Sequence, residues 1–347
     1  MAADTMRAWM VDAPAPIQRR PLRLGDRDLP TPGPDEVLVR VSACGVCRTD
    51  LHLAEGDLAP HRPGTVPGHQ VVGRISASGS GQSRFEVGDR IGIAWLRRTC
   101  GECRWCRSGA ENLCPGSAYT GWDADGGFAE YAVVPAAYAY RLPETMSDQQ
   151  AAPLLCAGII GYRALRRSAL PPGGRLGIFG FGSSAHITAQ VALAQGAEVY
   201  VMTRGELGRE LARSLGATWV GGPTDAPPVL LDSVVVFAPA GDLVPHALAA
   251  VDRGGTVALA GIHMSTVPAL DYARHLFQEK TLCSVAANTR ADGEELLRLA
   301  RPLRIEVHVV EYGFDRVDTA LEDLAADRLS GSAVITGFPG VRPVRGR

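Results

Sequence analysis

The sequence has no surplus of positive charge. Its 35 lysines and arginines face 37 acidic residues, for a net charge of −2. A nucleic-acid binder ordinarily carries a basic excess, and the pairs Arg97-Arg98 and Arg166-Arg167 are too short to supply one. Solvated faces account for them. No run reaches the about 18 apolar residues that a membrane-spanning helix needs. The first twenty residues hold Asp4, Arg7, Asp12 and two prolines, with no apolar core of signal-peptide type. These absences predict a soluble cytoplasmic protein with neither nucleic acid nor membrane as partner.

What is present is more telling. A chain of 347 residues suits about two domains, and 46% hydrophobic residues can fill a core in each. There are eight cysteines, five of them in short clusters at 44–47 and 100–106. In a reducing compartment that spacing points to metal rather than disulfides.

Up to about residue 95 the chain reads as short strands. Residues 36–42 alternate polar and apolar with a period of two, as a half-buried strand does, and 71–75 and 88–94 continue the pattern. Gly and Pro punctuate between them, in Pro30-Thr31-Pro32-Gly33-Pro34, Pro63-Gly64 and Pro67-Gly68. A small β-barrel or partly open β-domain is expected. After its first clear strand comes Cys44-Gly45-Val46-Cys47-Arg48-Thr49-Asp50-Leu51-His52, which the pattern puts in a loop. Thiolate and imidazole are zinc ligands; hydroxyl and imidazole can pass protons. Whether both thiols of this Cys-x-x-Cys hold metal is open at this point. His69 lies in another loop before a strand and is a candidate partner.

The strongest local signal is Cys100-Gly101-Glu102-Cys103-Arg104-Trp105-Cys106 followed by Cys114. Four thiolates make a closed tetrahedral site, which suits a structural zinc. The bacterial ferredoxin run also begins Cys-x2-Cys-x2-Cys, but its fourth cysteine follows after three residues rather than seven. Zinc is favoured over an iron–sulfur cluster.

From Gly173 the pattern changes. A strand over 174–179 leads into Gly180-Phe181-Gly182-Ser183-Ser184-Ala185, and a helical run follows to about 194. Gly-x-Gly-x-x-Ala on a strand–turn–helix is a dinucleotide fingerprint. The glycines admit a pyrophosphate, whose charge meets the helix N-terminus. After the next strand, 198–202, an NAD enzyme should carry an acidic residue for the ribose. This chain has Thr203-Arg204. A hydroxyl and a guanidinium would accept a 2′-phosphate, so NADP is preferred over NAD; the alternative is that Arg204 merely opens the next helix. Continuous apolar runs at 233–237 and 256–260, with a helix near 244–251 between them, extend a doubly wound sheet, which a last strand near 281–285 closes. Strands near 306–314 and 332–336 flank a helix over 317–324. Residues 337–347 read as a loose tail.

Together these residues resemble the zinc-dependent alcohol dehydrogenases of the medium-chain dehydrogenase/reductase superfamily, over almost the whole chain. The likeness rests on Gly45-Val46-Cys47-Arg48-Thr49-Asp50-Leu51-His52, Gly68-His69, the four-cysteine lobe, Leu155-Cys156-Ala157-Gly158 and the Gly-rich turn. It implies an α/β chain with a GroES-like β-rich catalytic domain, residues 1–153 and 289–347. A Rossmann nucleotide-binding domain, 154–288, is inserted, and the active site lies in the cleft. It further implies two zincs: Cys47, His69 and Cys156 on a catalytic ion with one open position, and Cys100, Cys103, Cys106 and Cys114 on a structural one. Spacing alone does not single out Cys156. Cys44 becomes a spare buried thiol. Thr49 would take the alcohol proton and His52 would pass it to solvent by way of the cofactor ribose. Asp50 would orient His69, and Arg48 would face the pyrophosphate. Trp95, Leu58, Tyr119 and Trp122 are pocket candidates; a tryptophan at 95 favours unbranched or planar substrates. Relatives are dimers or tetramers, so a homo-oligomer is expected.

Three departures from the family pattern stand out. Gln70 replaces a common Glu after the ligand histidine, Ser332 stands where relatives often carry Arg, and Thr203 occupies the acidic position. The leading reading is an alcohol dehydrogenase or aldehyde reductase. The rival is an NADPH reductase of a conjugated C=C bond, an imine or a specialised aldehyde, and a non-catalytic zinc and nucleotide binder is the remote third.

Overall fold

A computed structural model describes residues 5–340. Their contacts form two compact units. The first takes the chain up to Cys156, Thr289–Leu297 and the chain from Val309; the second takes Ala157–Asn288 and Arg298–His308.

In the first unit, Glu36–Gly45 is the central strand of a seven-stranded sheet. It pairs antiparallel with Gln70–Ser78, with Tyr131–Pro135 and with Ser332–Thr336. The expected alternation holds over its middle, where Val39, Val41 and Ala43 are buried and Arg40 and Ser42 exposed, while both ends of the strand are buried on successive residues. The nine-residue motif is not a loop. A helix, Arg48–Glu55, begins directly after Cys47, because Cys47 and Asp50 close a capping box between side chains and backbone. It stops at Gly56, whose φ of 95° suits glycine.

The second unit is a six-stranded parallel sheet. Across it run Trp219–Gly221, Glu198–Met202, Arg175–Phe179, Leu231–Val236, Val251–Leu259 and Thr281–Ser284. That order is the doubly wound dinucleotide-binding one, with the sequence order reversing beside the first strand, Arg175–Phe179. Val234, Val235, Val236 and Val257 are fully buried, as continuous apolar strands between helix layers must be.

The expected boundaries need two corrections. Leu154–Cys156 belong with the first unit, where Leu155 packs so closely on Gly92 that a Cβ there would come within 2.6 Å of it. Arg298–His308 belong with the second, since Gln190 exchanges hydrogen bonds with the Glu306 backbone and His308 N–H donates to His186. The edge strand Trp219–Gly221 and the helix Arg290–Ala300 carry no reading in the sequence analysis. From residue 341 the expected tail lies outside the described residues. Among the described residues no helix is long and apolar enough to cross a membrane.

Candidate active site and metal centres

Cys47, His69 and Cys156 come together from three distant parts of the first unit. Their ligand atoms all lie within 4.8 Å of one another. Cys47 ends the approach to the first helix, and His69 immediately precedes the strand Gln70–Ser78. Cys156 sits in a wide π-type turn, Leu154–Gly158, within a run of helix from Asp148 to Arg167. Pro153 just before it withholds a backbone donor, which loosens the helix there.

Asp50 organises this cluster. Its carboxylate is buried and accepts the Cys47 N–H at 2.9 Å, the Gly68 N–H at 2.9 Å and the His69 Nδ1–H at 3.0 Å. The bond to Nδ1 makes Nε2 the ring's donor atom toward a metal. Nε2 lies 3.3 Å from the Cys156 sulfur. Bond lengths of about 2.0 and 2.3 Å from a tetrahedral zinc would put N and S about 3.5 Å apart.

Charge in the cluster favours a cation. Burial works against the His69 imidazolium, but Asp50 and the Cys47 thiolate outweigh it and lift the ring to about 10. The Cys156 thiol donates to Cys47 and, with His69, draws Cys47 well below an ordinary thiol despite its burial. Cys156 in turn is pushed well up, since ionising it would set a second thiolate beside the first and away from water. The pair therefore gives up its first proton at Cys47 and keeps the second at Cys156. A divalent ion would displace the protons on Cys156 and His69.

Cys44 takes no part. It is fully buried, burial raises its pKa well above the usual range, and its sulfur points to the Gly45 carbonyl at 3.7 Å.

The second cluster is Cys100, Cys103, Cys106 and Cys114. Sulfur–sulfur distances are 3.6 Å for Cys100–Cys114, 3.6 Å for Cys103–Cys106 and 3.9 Å for Cys100–Cys106. Disulfides would be near 2.05 Å. A tetrahedron with Zn–S bonds of about 2.3 Å has edges of about 3.8 Å. Backbone N–H groups of Glu102 and Cys103 draw Cys100 down to about 6, toward the thiolate a metal requires. Glu111 leads out of this lobe into a salt bridge with Arg290, 2.7 Å long, which ties the lobe to the helix Arg290–Ala300.

Beside His69 stand the aromatic candidates. The Trp95 ring meets the His69 ring edge-on at 5.0 Å and stacks on Tyr119 at 4.9 Å. Trp122 lies nearly parallel to Trp95, 6.2 Å away and inclined by 7°. Leu58 is half-buried, and its N–H returns to the His52 carbonyl. Thr49 is buried with its hydroxyl 3.7 Å from the Cys47 sulfur, and His52, three residues on, shares its helix face. Arg48 does not stand alone: it pairs with Asp327 at 2.5 Å.

In the second unit, Gly180 has φ 84°, and a Cβ there would come within 2.9 Å of Ala238. Only glycine fits. Gly182 caps the helix Ser183–Ala194, and a Cβ on it would meet nothing within 4 Å, so the space before the helix N-terminus is open. Ala185 is fully buried against the turn. Thr203 is buried and Arg204 exposed. Arg209 braces both, donating to the carbonyls of Thr203 at 3.2 Å and Arg204 at 2.8 Å. Gln70 and Ser332 are buried; the Gln70 side chain packs over Gly45, where a Cβ would come within 2.8 Å of it.

The family models for an alcohol dehydrogenase GroES-like domain and a zinc-binding dehydrogenase match residues 33–144 and 184–301. The probable alcohol dehydrogenase of Mycobacterium tuberculosis is 56% identical, over 95% of this chain and 97% of its own. The chain belongs to the zinc-binding alcohol dehydrogenase family. Solved structures agree. The cinnamyl alcohol dehydrogenase of Sorghum bicolor superposes with a TM-score of 0.88 at 27% identity, over 98% of this chain and 100% of that one. The cobalt- and zinc-bound alcohol dehydrogenase of Pyrobaculum aerophilum gives 0.87 at 28%, over 96% and 99%. The chain is thus an NAD(P)-linked alcohol dehydrogenase, with a GroES-like domain and a Rossmann sheet. Its substrates are small alcohols and aldehydes.

Several residues of this dehydrogenase escaped the sequence reading. Asp57 bonds the His52 ring at 2.9 Å, Asp327 pairs with Arg48, and Arg209 braces the backbone of Thr203 and Arg204, yet none of the three lies in a motif. The one available signal is the Asp57 carboxylate five residues after His52, directly after the Gly56 that ends the helix.

Proposed function

We propose that this alcohol dehydrogenase carries two zincs per chain and prefers NADP. Cys47, His69 and Cys156 hold the catalytic ion, and the four lobe cysteines hold the structural one. What carries this reading is the meeting of two thiols and one imidazole within 4.8 Å, with Asp50 bonded to the imidazole's far nitrogen. Two thiolates and a neutral imidazole match the ion's charge and leave one of four positions for substrate. When bound, zinc supplies a Lewis acid that acidifies an alcohol or polarises an aldehyde.

The chain's own groups do the rest. Thr49 takes the alcohol proton, and His52 passes it toward water. In the second unit the Gly180–Gly182 turn and the N-terminus of the helix Ser183–Ala194 receive the cofactor's pyrophosphate. Arg204, on a loop braced by Arg209, meets a 2′-phosphate, while the Thr203 side chain packs beneath it. A nicotinamide cofactor held by these residues would supply the hydride acceptor for alcohol oxidation and the hydride donor for aldehyde reduction. Trp95, Tyr119 and Trp122 give the pocket a flat wall with Leu58 at its margin, which selects unbranched or planar substrates. The first unit is thus the catalytic domain and the second the nucleotide-binding domain.

A homo-oligomer is supported by the sheet edge at Thr281–Ser284, near the exposed Tyr272 and Phe277, 65% and 66% accessible. Eight unpaired thiols suit a reducing, cytoplasmic setting. Thr49 and His52 on one helix face favour the alcohol–aldehyde reaction over reduction of C=C or C=N bonds, which needs no such relay. A panel of alcohols and aldehydes, run with both cofactors on protein of measured zinc content, tests this. NADPH-linked turnover of planar aldehydes at two zincs per chain is expected. Turnover confined to C=C or C=N substrates contradicts it.

A further inference from the structure

The strand Arg90–Ile93 carries a glycine in the interior of the first unit's sheet. Gly92 pairs with Val72 on one side and with Tyr140 on the other. Its φ is not in the left-handed region, so space rather than backbone conformation calls for glycine. Inside a strand, glycine often marks a place where another group comes in close. The group here is Leu155. A Cβ on Gly92 would come within 2.6 Å of Leu155 Cδ2, 2.8 Å of Leu155 Cδ1 and 3.3 Å of Leu142 Cδ2. Both methyl groups of Leu155 are too near, so turning the end of the side chain cannot clear the space, and the residue is fully buried. The strand itself is held along both edges. A methyl group added at Gly92 therefore displaces Leu155.

Leu155 precedes Cys156, and both lie in the wide turn Leu154–Gly158. Such turns are rare and occur mostly at functional sites. The approach to this one is pinned to the same strand. Arg90, two residues before Gly92 and so on the same face, donates through Nε to Asp148 at 2.7 Å. Its two Nη atoms donate to the carbonyls of Pro143 at 2.6 Å and Met146 at 2.9 Å. The Arg90 side chain is 5% exposed, and Asp148 opens the helix Asp148–Pro153 that runs into the turn. With its first residue tied down, the helix cannot slide to relieve a crowded Leu155. We infer that Gly92 is a positioning residue of the catalytic metal centre: by seating Leu155 against the bare strand, it fixes where Cys156 places its sulfur relative to Cys47 and His69. A general packing defect would loosen the fold without singling out one metal site. Displacing one ligand weakens one site only.

This role rests on Cys156 as a ligand of the catalytic zinc, and a set of variants separates the two. Affinity for each zinc is measured by competition against a chromophoric chelator in wild type, Cys156→Ala, Gly92→Ala, Leu155→Val and the Gly92→Ala/Leu155→Val pair. Cys156→Ala should lose the catalytic zinc and keep the lobe zinc. Gly92→Ala is expected to weaken the catalytic zinc about 10- to 100-fold, the range for groups that orient metal ligands, and to leave the lobe zinc unaltered. Leu155→Val removes the one carbon that Gly92→Ala adds, so the pair conserves volume and should recover most of the loss. A Cys156→Ala protein that keeps both zincs overturns the ligand reading and the role of Gly92 with it. Loss of the catalytic zinc in Cys156→Ala beside wild-type affinity in Gly92→Ala overturns the role of Gly92 alone. So does a Gly92→Ala loss that falls on both zincs alike, or one that Leu155→Val does not relieve. Should Gly92→Ala fail to fold, Leu155→Val decides by itself: a weaker catalytic zinc beside an unaltered lobe zinc supports the seat, and equal affinity overturns it.

Discussion

Asp50 accepts the Nδ1–H of His69 at 3.0 Å, and both side chains are buried almost completely. The same carboxylate takes the N–H groups of Cys47 and Gly68, so one residue sets the approach of two metal ligands. Asp50→Ala should leave those donors unpaired and let the imidazole turn. The expected loss in affinity for the catalytic zinc is about 10- to 100-fold, the usual effect of removing such a support. Competition against a chromophoric chelator measures it, with the lobe zinc as internal reference. Equal affinities in variant and wild type would remove Asp50 from the account.

A second prediction concerns acid. His186 is buried at the start of the helix Ser183–Ala194, with Nδ1 donating to Gly182 O at 3.2 Å and Nε2 accepting from His308 N–H at 3.2 Å. Burial lowers its pKa from 6.5 to about 4. Between those values the unfolded chain binds a proton that the folded chain refuses. Stability from this group is therefore intact above pH 6.5, falls as the pH drops toward 4, and changes no further below. The total is of order 3 kcal/mol. Zinc ligands also release metal in acid, so the useful quantity is a difference: His186→Gln should lose less stability than wild type between pH 7.5 and 5, read from urea midpoints. Identical losses contradict the assignment.

The cofactor preference is tested at Arg204 and Asp327. Arg204→Ala should lower kcat/KM for NADPH about tenfold, the scale of one charged contact to phosphate, and leave NADH nearly unaltered. A wild-type preference for NADH would refute the NADP reading outright. Asp327 pairs with Arg48, the guanidinium assigned to the pyrophosphate. Asp327→Asn should release it and tighten both cofactors by about two- to fivefold at low salt, in keeping with an exposed ion pair. Fluorescence titration reads this, and weaker binding would contradict it.

Gln70 follows His69 where relatives commonly carry Glu. It is buried, and its side chain lies over Gly45. Gln70→Glu would return a negative charge close to the metal centre. Turnover should change, along with zinc affinity. A variant that matches wild type in both assigns Gln70 to packing alone.

Much of this was legible in the chain. The lobe cysteines are close in sequence, so spacing alone named them. The Rossmann strands are continuous apolar runs, and Gly180 must be glycine for two independent reasons. Cys156 was legible only through family resemblance, since 87 residues separate it from His69 and a single buried thiol is ordinary core. The motif at Cys44–His52 misled in one respect: its place after a strand suggested a loop, whereas the Cys47–Asp50 capping box starts a helix. Asp57, Asp327 and Arg209 stayed hidden because charged residues at or near the surface occur everywhere, and only folding shows which of them meets a candidate residue. Trp219–Gly221 is three residues long, too short for any period to register.

The central claim is that Cys47, His69 and Cys156 hold the ion at which alcohol is oxidised, while Cys44 is packing. Zinc per chain, measured together with NADPH formation from an alcohol, tests it most directly in wild type, Cys44→Ala and Cys47→Ala. The account predicts two zincs and turnover in wild type and Cys44→Ala, and a single zinc with no turnover in Cys47→Ala. A Cys47→Ala protein that keeps two zincs, or one that still turns over, would contradict it.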